Sequence, residues 1–266
     1  MSLPRFYVSE IPEAGSIRLD EAESNHAARV LRAAIGEDVL VFDGRGNEGF
    51  GTIESITKKT VSIDVQGRRF APRDHDDRLW FAIALPKGDR QRSVVERSVE
   101  LGVDRLIPLH SSRSVAKCDE DAVARLDRYG IEACKQCHRN RKMQIDAAIE
   151  FETLMQRLQS QPQIQSWVLH PDPDGVAIDS FVSTVLARVR HQQQTITKLL
   201  FLVGPEGGFT SEEIQMARAA HCSLLNLGER ILRVETAVST AAVLGEIAIQ
   251  QLRCHFPSQW VEARED

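Results

Sequence analysis

The stretch that decides the fold is residues 199–236, LLFLVGPEGGFTSEEIQMARAAHCSLLNLGERILRVET. Its first apolar run, residues 199–203, is interrupted by the loop at 204–208, and a helix start follows. A second apolar run, residues 224–227, ends in a glycine and the short loop 229–233. Ligands of open α/β sheets bind outside the carboxyl ends of the strands. The two glycine-bearing loops therefore predict two walls of one small-molecule pocket.

The rest of the chain from residue 79 repeats this alternation of strand and helix. Predicted strands cover residues 79–85, 105–109, 166–169, 198–203 and 223–227. Predicted helices cover residues 89–101, 120–138, 151–158, 178–190, 211–220 and 236–252. Such alternation is typical of a mostly parallel sheet that helices cover on both faces. The predicted fold class is therefore α/β.

The first 72 residues are predicted to form a small β-rich unit. Asp20 is expected to cap a helix over residues 21–34, which a glycine ends. Three short, closely spaced strands favour a compact barrel. They are predicted at residues 38–42, 51–56 and 60–65. The polar stretch 67–78 is predicted as a linker, so we expect two domains, residues 1–72 and 73–266.

Composition excludes several classes of protein. The chain has 266 residues, of which 42% are hydrophobic and 27% charged, as in ordinary globular proteins. No apolar run approaches the roughly 20 residues that a membrane-spanning helix needs. The N-terminus has no long apolar core, so neither secretion nor a membrane partner is expected. Five scattered cysteines are not a disulfide framework and favour a reducing cytoplasm.

A local basic cluster interrupts the overall net charge of −5. Residues 87–142 hold 13 lysines and arginines against 9 aspartates and glutamates, and residues 133–145 carry no acid at all. Phosphate contacts depend on such local clusters. Charge alone fits a solvated helix face equally well.

The motif CxxCH at residues 134–138 matches the haem-attachment pattern. A covalently attached haem normally requires export, and this motif lies in a predicted helix rich in charge. No second pair of ligands has the spacing of a zinc site. We therefore expect neither haem nor a metal.

The chemistry of the first loop depends on its glycines. Gly207 and Gly208 allow backbone conformations closed to other residues and a close approach to a ligand. Thr210 and Glu213 fit a capping box that fixes the start of the next helix. The loop is neither GxGxxG nor a P-loop, so dinucleotide or ATP binding is weakly supported. A plain strand-to-helix turn fits this glycine pair equally well.

The second loop strengthens the interpretation as a ligand pocket. Ile231 and Leu232 are apolar in a segment that should be a loop. Apolar loop residues beside glycines suit a flat ring held between side chains and bonded by backbone groups, which describes an adenine pocket. The end of the strand at Leu169 could add a third wall, although His170 alone is more simply structural.

These residues resemble a known family. GPEGGF at residues 204–209, followed by LGERILRVETA at 227–237, closely resembles the RsmE-type uridine N3-methyltransferases of the SPOUT superfamily, which use S-adenosylmethionine. RFY at 5–7 and HAARVLR at 26–32 are similar to the family's PUA-like domain, and KGDR at 87–90 to the loop after its first strand. The chain departs from the family where Glu229 and Val234 replace a frequent proline and threonine.

The resemblance implies a fold, an assembly and a substrate. The fold would be a SPOUT-type parallel sheet with a deep C-terminal trefoil knot near residues 200–240, plus a small N-terminal PUA-like β-barrel domain. Knots are rare, so the pattern alone would predict an open doubly wound sheet. The enzyme would be a homodimer. Its substrate would be one uridine in the decoding region of 16S rRNA, within the small ribosomal subunit.

The resemblance and the loop pattern together nominate site residues. Arg233 is the candidate catalytic residue, since a cation would stabilise the anion that develops on uracil; a phosphate or cofactor-carboxylate contact fits it equally. Glu206 is a candidate base, although capping of local amides is favoured. The residues predicted to bind S-adenosylmethionine are Leu169, His170, Pro171, Val203, Gly204, Glu206, Gly207, Asn226, Leu227, Gly228, Ile231 and Leu232. Those predicted to bind RNA are Arg5, Arg29, Arg32, Lys87, Arg139, Arg141 and Lys142.

Three alternatives remain open beside the rRNA uridine N3-methyltransferase. The first is a SPOUT methyltransferase that acts on another RNA base or position. The second is a non-enzymatic RNA-binding protein with the same fold, against which the intact loops argue. The third is a nucleotide-dependent oxidoreductase, against which the missing GxGxxG argues.

Overall fold

The structure is a computed structural model that describes residues 3–57, 59–72, 78–192 and 197–256. The chain divides into two compact units. One comprises Met1–His75 with Ile131–Lys142, and the other Asp76–Gly130 with Met143–Asp266. The sequence pattern did not indicate that residues 131–142 group with the first unit. The predicted domain boundary between residues 72 and 73 stays a prediction.

The first unit is a five-stranded sheet with one short helical segment. Its elements are β1 (Arg5–Tyr7), β2 (Gly15–Arg18), α1 (Glu21–Asn25), β3 (Asp38–Phe42), β4 (Asn47–Ile56) and β5 (Val61–Phe70). The strand order is β1-β3-β4-β5-β2, in which β1 and β3 are parallel and the other pairs antiparallel. Alternate strand residues such as Val39, Val41 and Ile63 are fully buried. The predicted β-rich character of this unit is therefore confirmed.

The helix predicted over residues 21–34 was wrong in length and type. Asp20 caps it as predicted, accepting from the Glu23 amide at 2.7 Å. However, α1 ends at Asn25 and continues as a π-helix, His26–Leu31. Arg32 then adopts a left-handed conformation with φ of 53° and ends it. The wider π turn buries Ala27 and leaves the residues before Arg32 exposed.

The predicted linker at residues 67–78 also begins too early. Strand β5 runs through this polar stretch to Phe70, because residues 67–70 pair with residues 47–50 of β4. Backbone pairing thus overrides a polar composition that had indicated a loop. Residues 73–77, which also belong to the predicted linker, lie outside the described residues.

Residues 131–142 join the first unit through polar contacts. The Arg5 guanidinium donates to Asn140 Oδ1 at 2.5 Å, and Asn140 Nδ2 donates to the Ala71 carbonyl at 2.6 Å. Lys135 pairs with Glu23 in a buried site. Burial raises the pKa of the Glu23 carboxyl, and the Lys135 ammonium opposes this rise. Buried charges need such partners, so this segment is part of the unit's interior.

The second unit is a parallel α/β sheet. Its strands are β6 (Leu79–Ile83), β7 (Arg105–His110), β8 (Gln144–Ile145), β9 (Ile149–Glu150), β10 (Ile164–Leu169), β11 (Val176–Ala177), β12 (Lys198–Val203) and β13 (Ser223–Asn226). Its helices are α2 (Arg90–Glu100), α3 (Glu120–Cys137, whose last residues belong to the first unit), α4 (Phe151–Gln159), α5 (Phe181–Gln192), α6 (Ser211–Ala219) and α7 (Val234–His255). The strand order is β11-β13-β10-β12-β6-β7-β8, and β9 also pairs with β7.

Every strand pair of this sheet is parallel, as predicted. Helices α4 and α6 cover one face, where Leu154 and Ile214 share a cluster with Leu200. The other face carries Phe81 and Phe201, whose rings stack at 5.2 Å, and α7 crosses it at Gly245. Strands buried on both faces explain the continuous apolar runs. The trefoil knot stays a prediction.

Among the described residues, no helix combines the length and the apolar character needed to cross a bilayer.

Candidate functional site

A cavity of about 350 Å³ opens at the carboxyl ends of β10, β12 and β13. Of the twelve residues predicted to bind a cofactor, all but Asn226 line this carboxyl-end cavity. They are Leu169, His170, Pro171, Val203, Gly204, Glu206, Gly207, Leu227, Gly228, Ile231 and Leu232. The structure thus brings together the two glycine loops and the end of β10, as expected for neighbouring parallel strands.

Sequence reasoning missed a second set of lining residues. They are Arg113, Pro205, Gly208, Phe209, Leu225, Arg230, Val234 and Ala237. Most are neighbours of predicted residues, but Arg113 comes from the segment after β7. The only sequence signal for Arg113 was its position as a basic residue shortly after a predicted strand. The cavity therefore holds two cations, Arg113 and Arg230, that were not nominated.

The first glycine loop has a conformation that its sequence requires. Gly208 has a φ of 67°, in the left-handed region that favours glycine. Its amide donates to the Pro205 carbonyl at 2.8 Å and closes the turn. A Cβ at Gly204 would lie 3.1 Å from the Phe209 ring. The backbone of this loop can therefore lie at the cavity wall without intervening side chains.

Three contacts from neighbouring elements hold this loop and the helix that follows it. Arg90, at the start of α2, forms an ion pair with Glu206. Arg113 Nη1 donates to the Gly207 carbonyl at 2.6 Å. The predicted capping box of α6 is present, and Glu213 also accepts from the Ser112 amide at 2.8 Å. Glu206 is thus engaged with a cation, which favours a positioning role over that of a base.

The second loop is built around Asn226 and Gly228. Gly228 has a φ of 108°, which only glycine adopts readily. The Asn226 side chain accepts from the Gly228 amide at 2.9 Å and donates to the Asp172 carbonyl at 3.2 Å. Asn226 therefore joins two walls of the cavity without lining it. Ile231, at the rim, is 93% exposed.

Arg233, the candidate catalytic residue, lies beside the cavity. It is the exposed residue immediately before α7 and precedes the lining residue Val234. Among the described residues, none forms a side-chain hydrogen bond or ion pair with Arg233, in contrast to Arg90 and Arg113. Its guanidinium is therefore available to a bound molecule.

Cys222, which comes just before β13, is unsuited to nucleophilic catalysis. Cys222 is buried between α6 and β13, and burial raises the pKa of its thiol to about 12. The thiolate is the nucleophilic form, so this residue is inert near neutral pH. The chemistry of this site depends on binding and positioning.

Residues predicted to bind RNA divide into two groups. Arg29, Arg32 and Lys87 are exposed, and Arg141 and Lys142 are half-buried. Arg5 and Arg139 are about 95% buried, and Arg5 is engaged by Asn140 and Glu48. Because a phosphate contact requires an accessible cation, the RNA-binding prediction does not fit Arg5 and Arg139.

The CxxCH motif lies at the end of α3. Cys134 is buried, and its thiol donates to the Arg141 carbonyl at 3.6 Å. His138 follows the helix with a φ of 63°. Among the described residues, no group of three or more histidines, cysteines or acids could hold a metal ion.

Two family models match the chain. An RNA methyltransferase domain matches residues 73–245, and an RNA methyltransferase PUA domain matches residues 19–66. The chain belongs to the RNA methyltransferase family. It is an enzyme of this class, with a PUA domain before the α/β domain.

Relatives within this family match the chain along most of its length. The ribosomal RNA small subunit methyltransferase E of Bacillus subtilis (strain 168) is 28% identical and covers 86% of this chain and 88% of its own. The protein of the same name from Mycobacterium tuberculosis is also 28% identical, over 98% of this chain and 95% of its own. The family resemblance predicted from the two loops is confirmed.

Solved structures agree with this assignment. A ribosomal RNA small subunit methyltransferase E from Neisseria gonorrhoeae, bound to S-adenosylmethionine, has a TM-score of 0.78 and 26% identity, covering 94% of this chain and 98% of its own. A Legionella pneumophila protein in complex with S-adenosylmethionine has a TM-score of 0.80 and 26% identity, covering 93% of this chain and 98% of its own. The predicted α/β fold with its N-terminal PUA domain is confirmed.

Proposed function

We propose that this enzyme transfers a methyl group from S-adenosylmethionine to N3 of one uridine in the decoding region of 16S rRNA. The observation that carries the proposal is the carboxyl-end cavity, in which the two glycine loops converge as the family resemblance requires. Support also comes from relatives that are named ribosomal RNA small subunit methyltransferases and span nearly the whole chain.

The residues of the cavity fit S-adenosylmethionine. Leu227, Ile231 and Leu232 provide apolar contact for a flat ring, and the loop of Gly204 and Gly207 presents backbone groups. The volume lies within the usual range for small-molecule sites, about 300 to 1,000 Å³. When bound there, the cofactor would supply a methyl group already activated by a positively charged sulfur.

The protein's own task is to prepare the acceptor. Uridine N3 carries a proton and is a poor nucleophile while neutral, so the base must be positioned and its developing negative charge stabilised. The accessible guanidinium of Arg233, beside the cavity, stabilises this developing negative charge. Arg90 and Arg113 hold the first glycine loop in place through Glu206 and the Gly207 carbonyl. The target base must leave its stack to enter such a site.

RNA capture is assigned to accessible basic residues of the first unit. Arg29 and Arg32 are exposed along and just after the π-helix, and Arg141 and Lys142 form a second group. Phe70, 64% exposed, lies under the Arg141 guanidinium, whose carbon is 5.9 Å from the ring centroid. Cations that contact phosphate give affinity without sequence information. Selection of the site is therefore assigned to the shape of the assembled RNA.

We further propose that the enzyme acts in the cytoplasm as a homodimer. Helix α7 supports the assembly, because Val243 and Ile247 are exposed one turn apart and Leu244 beside them is half-buried. Apolar side chains grouped on one exposed helix face are characteristic of association sites. A second copy of the chain is the occupant that the family resemblance implies.

The decisive experiment is methyl transfer from labelled S-adenosylmethionine to small ribosomal subunits that lack the modification. We expect 3-methyluridine when the product nucleoside is identified by mass spectrometry. A different methylated nucleoside would instead establish the second candidate, a SPOUT methyltransferase for another base. No transfer to any small-subunit RNA, with the cofactor bound, would refute the rRNA assignment.

Arg233→Ala tests the catalytic assignment in the same assay. Loss of one preorganised cation should lower kcat roughly 10²-fold or more while leaving cofactor affinity nearly unchanged. The matched control is Arg97→Ala, which removes an exposed arginine on α2 away from the cavity. Equal rates for the two variants would exclude Arg233 from the chemical step.

A further inference from the structure

A second cavity lies at the opposite end of the strands of the same sheet, near their amino ends. It has a volume of about 400 Å³ and is lined by residues near the amino ends of β6, β7, β10 and β12 and by the second half of α4. We call it the amino-end cavity. None of its lining residues lines the carboxyl-end cavity, so the methyl-transfer site does not account for it.

The cavity exists because the sheet is interrupted at its edge. Strand β7 pairs with β8 through Arg105 and Leu106, and with β9 through Leu109 and His110. Between these pairs stands Pro108, which has no amide hydrogen to donate. Residues 146–148 leave the strand pairing there and form one wall of the cavity.

One wall of the amino-end cavity is apolar and another is aromatic, while charged and polar side chains line the rest. Leu154 and Leu158 of α4 contribute from one side, and Ile107 and Leu200 from the sheet. Trp80 lies beside them. Such a lining favours the carbon skeleton of a small organic molecule. A fully hydrated inorganic ion would gain nothing from these walls.

Cations surround the aromatic wall. The Arg105 guanidinium carbon is 4.3 Å from the Trp80 ring centroid, and Lys198 Nζ is 4.0 Å from the same centroid. Arg157, which also lines the cavity, is exposed. Guanidinium groups bind carboxylates and phosphates through paired hydrogen bonds. The polar part of a ligand here should therefore be an anion.

The one acid in the described lining, Asp146, pairs with only one of its two cations. Asp146 lies 3.4 Å from Arg105 Nη1, and Gln144 accepts from Nη2 at 2.9 Å. Arg105 Nε is buried and has no hydrogen-bond partner among the described residues. No described carboxylate pairs with Arg157. The lining thus has one positive charge in excess, which the exposed Arg157 can present to a ligand.

We propose that the amino-end cavity is a binding site for a small organic anion with an apolar body, of the arylalkanoate type. The carboxylate is held by Arg157 and Arg105, and the apolar body lies against Trp80 and the leucines of α4. The described lining contains no cysteine, serine or histidine and no cluster of residues that could hold a metal ion, so we assign to the site binding of a ligand and no reaction.

A charge series of equal shape tests this assignment. Phenylbutyrate, phenylbutanol and phenylbutylamine are titrated into the full-length protein, with S-adenosylhomocysteine saturating the carboxyl-end cavity. Binding is followed by calorimetry and by the indole NMR signal of Trp80, assigned from Trp80→Phe. We expect saturable binding of the acid, at least fivefold weaker binding of the alcohol and none of the amine. Equal affinity of acid and alcohol, or no saturable binding of the acid at millimolar concentration, overturns the proposal.

Two variants and one control test whether the acid binds in the amino-end cavity. Arg157→Gln should weaken phenylbutyrate binding at least fivefold, because an exposed arginine is removed without disturbing the interior. Arg97→Gln removes an exposed arginine elsewhere and should leave the affinity unchanged. Gln161→Trp should abolish binding by filling the cavity. Full binding by Arg157→Gln or by Gln161→Trp overturns the assignment even if the acid binds elsewhere on the protein.

Discussion

Asn226 shows how one side chain can shape a site that it does not touch. Its carbonyl oxygen and its amide group join the loop of Gly228 to the loop of Asp172. Both loops form walls of the carboxyl-end cavity. The alternation of side chains along a strand explains why Leu225 and Leu227 line the cavity and Asn226 does not.

Asn226→Ala should therefore weaken cofactor binding while the fold persists. Two hydrogen bonds of about 1 kcal/mol each are lost, so the affinity for S-adenosylhomocysteine should fall by up to roughly 30-fold. Isothermal titration calorimetry measures this change. Asn25→Ala, in the first unit, is the control and should bind normally. An unchanged affinity of the Asn226 variant would show that the loops hold their places without this bridge.

The candidate site was predictable from sequence to the extent that its signals were local. Gly208 and Gly228 have positive φ; Gly228 was nominated as a cofactor-binding residue, and Gly208 was singled out for its backbone freedom without being nominated. Arg113 could not be inferred with the same ease, because its position at the cavity depends on the pairing of strands far apart in the chain. The burial of Arg5 and Arg139 could not be inferred from sequence, because charge predicts exposure only where no buried partner exists.

At the scale of elements, α6 ties the first glycine loop to the strand end of β7. The Thr210 hydroxyl accepts from the Glu213 amide at 3.2 Å, and the Glu213 carboxylate accepts from the Thr210 amide at 2.8 Å. The same carboxylate accepts from the Ser112 amide and hydroxyl. One buried acid thus satisfies donors from two segments.

Removing the two capping side chains should have unequal effects on stability. Thr210→Ala loses one cap and should lower the free energy of unfolding by about 1 kcal/mol. Glu213→Ala leaves several donors unsatisfied and should lower it by roughly 2 to 3 kcal/mol. Urea unfolding followed by circular dichroism provides the comparison. Glu212→Ala, the exposed neighbour, should have a smaller effect than either. If Glu213→Ala proves no worse than Thr210→Ala, the tie to Ser112 contributes nothing.

Long elements with strong periodicity were predictable, and short ones were not. Strands β3 and β12 match their predicted bounds, and α4 exceeds its prediction by one residue. The two-residue strands β8, β9 and β11 have no period to detect. Pairing with neighbours, rather than their own sequence, makes them strands. The change to π-helix at His26 likewise left no signal in the apolar spacing.

At the scale of the whole molecule, the exposed side chains of α7 predict the assembly. The double variant Val243→Glu and Ile247→Glu places two charges where a second copy would pack. It should be monomeric by size-exclusion chromatography with light scattering, whereas we expect the parent chain to be a dimer. Val115→Glu is the control, since Val115 is as exposed as Val243 but lies outside α7. A double variant that remains a dimer would place the interface elsewhere.

The grouping of residues 131–142 with the first unit has a consequence for inheritance. A recombination event that exchanged only the first 75 residues would separate Lys135 from Glu23, and Asn140 from Arg5. The recombinant protein would keep its own end of α3, which evolved to fit the N-terminal sheet that has been replaced. Exchange of the whole N-terminal unit between relatives therefore requires three crossovers within the gene, or compensating mutations. Its evolution should be linked to a short segment encoded more than 50 codons downstream.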